Sequence, residues 1–207
     1  MLRIDTGAAV ASHILVPALP TFCAQYPDLQ LRLSATDRTA DLVSENIDCA
    51  IRGSADDPQL ISKQIGLLPW STCVSPAWLA RYGMPMHPND LVQRQMPVAG
   101  YFSATSGRTR PLQFQRGEEK VVLNEVHCAI QVSDSSAQLS AALAGLGLIH
   151  TLDFMLRPAI TQGTLVPVLT HWQSDPVPVY AVYPPSRRYS AKVRVFVDWA
   201  QEVFAGL

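Results

Sequence analysis

Several short stretches of this sequence place hydrogen-bonding or charged side chains where an apolar run stops. Thr6-Gly7-Ala8 follows Leu2-Arg3-Ile4, and Thr36-Asp37-Arg38 follows the alternating Leu29, Leu31 and Leu33. Arg52 ends Cys49-Ala50-Ile51, and His150 follows Leu148-Ile149. Tyr101-Phe102-Ser103 and Val132-Ser133-Asp134 close two further strand-like runs. These residue types recognise a ligand rather than make bonds. Free amides and hydroxyls hold a polar group, and an arginine fork pairs with a carboxylate. An imidazole at such a place titrates near neutrality. Each stretch also has a plainer reading. Thr6-Gly7-Ala8 is either a strand-to-helix turn needing glycine or a loop whose amides and hydroxyl grip a polar group. Asp37 is a helix cap or a contact, and Arg38 reaches an anion. Arg52 is a structural ion pair or a ligand contact. Asp134 reads as a helix cap, which leaves Ser133 as the better contact. His150 is a contact or a buried side chain.

Motifs for covalent chemistry are missing. The sequence has no GxSxG elbow, no GxxxxGK[ST] or GxGxxG phosphate loop and no HExxH. Gly145-Leu146-Gly147 matches half of a dinucleotide fingerprint, with no third glycine or acidic partner after it. His13, His87, His127, His150 and His171 stand far apart, and Cys23, Cys49, Cys73 and Cys128 form no CxxC. Ligand spacing for a metal is therefore lacking. The cysteines read as small buried hydrophobes in a reducing compartment. Asp56-Asp57, ahead of Pro58, reads as a solvated turn. The expectation is no catalytic residue, no cofactor and no metal.

The elements that position these residues alternate between strand and helix. Leu2-Arg3-Ile4 opens a strand. Ile14, Leu15, Ala18, Leu19 and Phe22 recur at helical spacing, with Pro17 opening a fresh helix after a kink. Leu29, Leu31 and Leu33 mark a half-buried strand. A helix is predicted over 39–46 with Leu42 and Val43 inward, then a buried strand at Cys49-Ala50-Ile51. Such a β-α-β-α-β order implies a parallel sheet with helical crossovers. A second unit begins near Ser75-Pro76-Ala77-Trp78-Leu79, with serine as cap and proline in the first turn. It continues with strands over 97–102, 112–114 and 121–132 and a helix over 135–143 with Leu139, Ala142 and Leu143 on one side. A strand at 148–149, a helix over 152–161 and a strand over 165–169 complete it. The chain then returns through a strand at 177–183 and an amphipathic helix capped by Ser190. That helix turns Val193, Phe196, Val197, Ala200, Val203 and Phe204 inward. The predicted fold class is α/β, two lobes joined by crossings near 72 and 173. Lobe I is 1–71 plus 174–207, and lobe II is 72–173.

Composition narrows the function classes. At 207 residues the chain has room for one to two domains of about 150 residues. Hydrophobic residues make up 48%, which excludes a disordered chain. Charged residues are only 16%, below the usual quarter, which points to much burial and to apolar surface for a partner subunit. Net charge is −1, and Arg187-Arg188 is the one adjacent basic pair. A domain that grips nucleic acid by itself carries a basic stripe, so this chain alone is a poor binder of it. Neither an apolar run of membrane-spanning length nor the core of a signal peptide stands out, and a cytoplasmic protein with no membrane contact is expected.

In order along the chain stand Leu2-Arg3-Ile4, Pro17-Ala18-Leu19-Pro20-Thr21-Phe22 with Tyr26-Pro27, and Leu31-Arg32-Leu33. Asp41-Leu42-Val43, Asp48-Cys49-Ala50-Ile51-Arg52 and Ser75-Pro76-Ala77-Trp78-Leu79 follow. Later come Ala144-Gly145-Leu146-Gly147-Leu148, Gly163-Thr164-Leu165-Val166, and Tyr183-Pro184 running on to Trp199. This ordered series resembles the effector-binding domain of LysR-type transcriptional regulators over nearly the whole chain. The resemblance implies two Rossmann-like lobes of the type 2 periplasmic-binding-protein-like fold, with a small organic-acid effector in a cleft between them. It implies a homodimer, tetrameric in longer forms, that relays binding to promoter DNA through a winged helix-turn-helix, which this sequence does not contain. Arg52-Gly53 departs from the family pattern by one residue. The alternative class is a solute-binding receptor of a transporter, which shares the two-lobed fold. In this frame the effector residues are Thr6, Gly7, Ala8, Thr36, Asp37, Arg38, Arg52, Tyr101, Phe102, Ser103, Val132, Ser133 and His150.

Overall fold

Alternating apolar residues make Leu2–Thr6 a strand, β1, whose Leu2, Ile4 and Thr6 are buried. Strand β1 pairs in parallel with β2 (Leu31–Ala35), from Leu2 opposite Leu31 to Thr6 opposite Ala35. On its other side it pairs in parallel with β3 (Cys49–Arg52). Strand β12 (Val177–Tyr183) lies antiparallel between β3 and β4 (Ile61–Leu68), so the sheet order is β2-β1-β3-β12-β4. The computed structural model describes residues 1–36, 40–104 and 106–207. They divide into two units, Met1–Leu68 with Val177–Leu207, and Pro69–Pro176. The crossings thus fall at Leu68/Pro69 and Pro176/Val177 rather than at 71 and 174.

In the first unit, α1 (Ala8–Val10), a π turn (Ala11–Leu15) and α2 (Val16–Gln25) run end to end. Pro17 cannot donate to the turn before it, and the widened π turn absorbs that break. The stretch Ala8–Gln25 has a mean hydropathy of 1.3 over 18 residues, long and apolar enough by composition to cross a membrane, which the sequence reading did not expect. Here Ile14, Leu15 and Phe22 bury in the unit's own core. Phe22 meets Phe196 at 5.9 Å and Trp199 at 5.0 Å between ring centroids. Both partners lie on α7 (Ala191–Ala205), whose inward face follows the predicted spacing. The predicted helix over 39–46 is absent from its described residues, 40–46, of which 42–46 form turns. Asp41 Oδ1 accepts from the N–H groups of Val43 and Ser44, offering the backbone a local alternative to a helix. Leu42 is buried there but Val43 is exposed.

The Asp48 that opens the Asp48–Arg52 motif is buried and is a tie between elements. It accepts from Arg3 N–H at 2.9 Å, Lys192 Nζ at 2.7 Å and Arg187 Nε at 3.0 Å. The starts of β1, β3 and α7 are thereby fastened together.

In the second unit, β5 (Trp70–Val74) lies between β10 (Ile149–Leu152) and β11 (Val166–Pro167), antiparallel to both. Strand β6 (Val98–Tyr101) pairs in parallel with β9 (Cys128–Val132), and a Val98–Leu148 bridge joins the two groups. Helices α3 (Pro76–Tyr82), α4 (Asp90–Gln93), α5 (Ser135–Leu143) and α6 (Asp153–Thr161) complete the unit. The stretch 121–132 is not one strand. Its first residues belong to β8 (Glu119–Leu123), a hairpin partner of β7 (Leu112–Arg116) around Gly117, and only Cys128–Val132 joins β6. The strand predicted over 165–169 shrinks to Val166–Pro167. On α5 the buried residues are Gln138, Ala141 and Ala142, while Leu143 is 42% exposed. The half fingerprint Gly145-Leu146-Gly147 has a packing reason. A Cβ on Gly147 would lie 2.3 Å from Ala99 N and 2.4 Å from Val98 C, so only glycine lets this turn lie against β6.

Candidate functional site

Strand pairing in the first unit gathers Thr6, Thr36 and Arg52 at the carboxyl ends of three adjacent strands. Thr36 N–H donates to Thr6 O at 3.0 Å, and Thr6 stands opposite Ile51, next to Arg52. Gly7 and Ala8 follow at the start of the long helix. Gly7 has φ −64°, which any residue adopts, so backbone strain does not require glycine there. The Thr6 hydroxyl is buried and has no hydrogen-bond partner among the described residues. Asp37 and Arg38 lie outside the described residues.

Arg52 is engaged by a residue that sequence reasoning missed. Its Nη2 lies 3.6 Å from Asp5 Oδ2 and also donates to Ala40 O. Asp5 and Arg52 project from neighbouring strands onto the same face, the face that Ser34 shares on β2. Burial pushes the Asp5 carboxyl above its ordinary range, against a hydrogen bond from Ser34 and the Arg52 charge. Asp5 Oδ1 is buried without a partner among the described residues.

In the second unit, parallel pairing sets Tyr101 opposite Val132, and Phe102 N–H donates to Val132 O at 2.9 Å. Tyr101, Phe102, Ser103, Val132 and Ser133 therefore share one sheet end. Ser103 also organises its own loop: its N–H donates to Arg108 O, and its carbonyl accepts from Gly107 N–H. Asp134 caps α5, accepting from Ala137 N–H at 2.7 Å, which leaves half-buried Ser133 beside the strand end.

His150 is placed otherwise. It lies within β10, opposite Thr72 of β5, and is only 8% exposed. Its Nδ1 meets Thr72 Oγ1 at 2.9 Å and its Nε2 meets Ser174 Oγ at 3.2 Å. The Ser174 hydroxyl donates to Gln113 O, so it accepts from the imidazole. The network thus assigns a neutral ring protonated at Nε2, with Thr72 donating to Nδ1. Trp70 stacks on the ring at 5.0 Å and 11°, and Phe114 lies 4.9 Å away. Burial, helped by the Arg110 charge, brings its pKa down to about 4, which overturns the expectation of titration near neutrality.

Cys49 and Cys73 are buried thiols that burial pushes up to about 12, as inert hydrophobes should be. Cys23, by contrast, is exposed. Among the described residues no group of three or more His, Cys, Asp or Glu side chains is placed to hold a metal ion. What both sheet ends offer is hydroxyls and backbone amides, with arginines beside them. That is a chemistry of ligand recognition, seen at the carboxyl ends of strands in open α/β sheets.

The LysR substrate binding domain model matches residues 1–205. The chain is 35% identical over 205 residues to a helix-turn-helix-type transcriptional repressor of Pseudomonas aeruginosa, covering 99% of this chain and 64% of the repressor. It therefore spans a little under two thirds of that relative. Among solved structures it is similar to the full-length Vibrio cholerae virulence activator AphB, with TM-score 0.81, 26% identity, 97% of this chain and 67% of that one. The CrgA regulatory domain of Neisseria meningitidis shares the fold, with TM-score 0.83, 23% identity and 97% of each chain. The two units are thus the α/β lobes of a type 2 periplasmic-binding-like fold. The chain belongs to the LysR substrate-binding domain family, a family of transcriptional regulators; the relatives named above are a repressor, an activator and a regulator, none of them a solute receptor.

Proposed function

We propose that this chain is the effector-sensing module of a LysR-type transcriptional regulator and performs no chemistry on its ligand. The effector is a small organic acid. The first unit offers it Thr6, Gly7, Ala8, Thr36, Asp37, Arg38 and Arg52; the second offers Tyr101, Phe102, Ser103, Val132 and Ser133, whereas both ring nitrogens of His150, also named from the sequence, are already engaged by Thr72 and Ser174. The observation that carries this reading is the Thr6 hydroxyl, buried with no hydrogen-bond partner among the described residues, at a strand end and separated only by Gly7 from a helical stretch of 18 residues. A buried hydroxyl left unpaired costs about 1–3 kcal/mol, a cost that a ligand oxygen removes. The Asp5 ion pair favours the structural reading of Arg52.

Effector binding shifts the equilibrium between lobe arrangements, and a homodimer carries that shift to promoter DNA through segments other than this chain. The setting is cytoplasmic. A thermal-shift screen of metabolites identifies the effector, followed by calorimetry of wild type, Thr6→Ala, Arg52→Ala and Ser133→Ala. Thr6→Ala and Ser133→Ala are expected to weaken binding by about 1 kcal/mol each. All three variants binding within twofold of wild type while folded would refute the site assignment.

A further inference from the structure

We propose that Arg3, Arg187 and Lys192 form a further anion site in the first unit, and that it takes a phosphate dianion. The site lies at the amino end of β1, the opposite end of that strand from Thr6, and it does not rest on the effector-sensing reading. Among the described residues Asp48 is the one carboxylate paired with these cations, and it is buried. Its oxygens are already taken. Oδ1 meets Arg187 Nε at 3.0 Å, and Oδ2 accepts from Lys192 Nζ at 2.7 Å and from Arg3 N–H at 2.9 Å. The Arg3 guanidinium has no share in that carboxylate. It donates to Asn46 O at 3.4 Å, while Arg187 Nη2 donates to Asn46 Oδ1 at 3.3 Å. Asn46 thus brackets two guanidinium groups, from a φ of 54° that asparagine adopts more readily than most residues.

Like charges held this close repel, and an anion between them removes the repulsion. Three cations on one carboxylate leave two positive charges, and Arg3, Arg187 and Lys192 all stay partly open to solvent. The surroundings do not cancel that excess. Arg32 stands opposite Arg3 in the β1–β2 register, Arg188 follows Arg187, and both are exposed. The first turn of α7 has no acidic residue. Glu45, next to Asn46, has its Oε1 on Asp41 N–H at 3.2 Å. Donors also remain. A guanidinium has five N–H groups; the contacts above use two on Arg187 and one on Arg3. Lys192 Nζ gives one N–H to Met1 O and one to Asp48. A planar carboxylate fills a single fork. A phosphate turns three oxygens in different directions and carries a charge of about −1.5 to −2 near neutrality. Charge and donor set therefore match a phosphate, free or as a monoester.

The test is an NMR titration of the 207-residue chain that follows Arg187 Nε–H and the Asn46 side-chain amide. The probes are inorganic phosphate, glycerol phosphate as a monoester, acetate as a planar monoanion, and chloride at matched ionic strength. Variants are Arg3→Gln, Arg187→Gln and Arg81→Gln, the last an exposed cation of the other unit, with amide spectra reporting that each is folded. Inorganic phosphate is expected to shift both signals saturably, acetate to bind about tenfold more weakly or less, and chloride to leave them in place. Arg3→Gln and Arg187→Gln are each expected to weaken phosphate about tenfold or more, as loss of a charge-assisted contact does. Arg81→Gln makes the same change in net charge and is expected to bind within twofold of wild type. If Arg187→Gln does not fold, Arg3→Gln decides alone, because it keeps the backbone N–H on Asp48. Glycerol phosphate binding as tightly as phosphate assigns the site to monoesters, and its exclusion assigns it to the free ion; either upholds the site. Shifts that do not saturate, chloride acting equally, phosphate binding Arg3→Gln within twofold of wild type, or an equal loss in Arg81→Gln overturns the proposal. A short DNA duplex that moves these signals where phosphate does not overturns it too, and gives the patch to a phosphodiester backbone.

Discussion

A histidine loses basicity when its charged form must give up water and gain nothing, and His150 is in that position. Both ring nitrogens are occupied by Thr72 and Ser174, and its faces meet Trp70 and Phe114. Its folded pKa is about 4 against 6.5 ordinarily. The unfolded chain therefore binds a proton that the folded one refuses between those values, and stability falls as pH drops from 6.5 through 4. His150→Gln is expected to be less stable than wild type at neutral pH but to lose less of its stability over that interval, as chemical denaturation at several pH values shows. Asp48 behaves with its own sign. Burial opposes its ionisation, yet hydrogen bonds from Lys192 and Arg3 N–H and the charges of Lys192 and Arg187 hold its carboxyl below the ordinary 3.8. Its contribution is present above that value and is lost as pH falls through the folded pKa. Asp48→Asn is expected to cost roughly 3 kcal/mol at neutral pH, since it strands two cations beside a buried site. The difference from wild type should shrink in acid below the ordinary carboxylate range.

At the scale of elements, the Gly145–Leu148 turn shows why a motif fragment can be structural. Leu148 N–H donates to Pro97 O and Ala99 N–H to Leu148 O, both at 2.9 Å, so the turn is stitched to β6 across a backbone contact that has no room for a Cβ. Gly147→Ala has no flexible side chain to displace. It is expected to cost about 3 kcal/mol, read as a fall in the denaturation midpoint. Leu146→Ala, at a residue 45% exposed, is expected to stay within about 0.5 kcal/mol. The long helix makes the opposite point. It has no Asp, Glu, Lys or Arg from Ala8 to Gln25, yet it buries mainly Ala11, Ile14, Leu15 and Phe22. Its outer face, with Val16 half exposed beside Ser12, His13 and Thr21, carries no Asp, Glu, Lys or Arg.

For the whole molecule, that helix face without Asp, Glu, Lys or Arg and the 16% charged content favour self-association. A homodimer in which α2 of one copy meets the second lobe of the other is the arrangement proposed. Two-fold interfaces use one patch twice, so Val16→Glu is expected to shift the species from dimer to monomer in sedimentation. Wild type sedimenting only as monomer at tens of micromolar would contradict it. With net charge −1 the chain releases few counterions on DNA, and a gel shift is expected to show no sub-micromolar, sequence-dependent binding by these 207 residues.

Local pattern was enough for much of this. The period of Val193, Phe196, Val197, Ala200 and Phe204 marked α7, the Ser75 and Asp134 caps sit where their side chains accept helix N–H groups, and the parallel pairing of β1 with β2 and β3 follows from the alternation of elements. Such signals survive because they depend on neighbours within a turn or two. A local signal also worked against the helix predicted over 39–46: the Asp41 side chain satisfies amides that a helix would use. Two features needed the tertiary structure. Arg52 found Asp5 only because β1 and β3 are register neighbours, 47 positions apart (52 − 5) in sequence. Trp70, Arg110 and His150, on three separate segments, stack because antiparallel β5 and β10 and the 108–110 chain converge at one sheet end. Sequence spacing encodes periodicity along an element, whereas the charge a side chain meets is decided by which strands lie side by side and in what register.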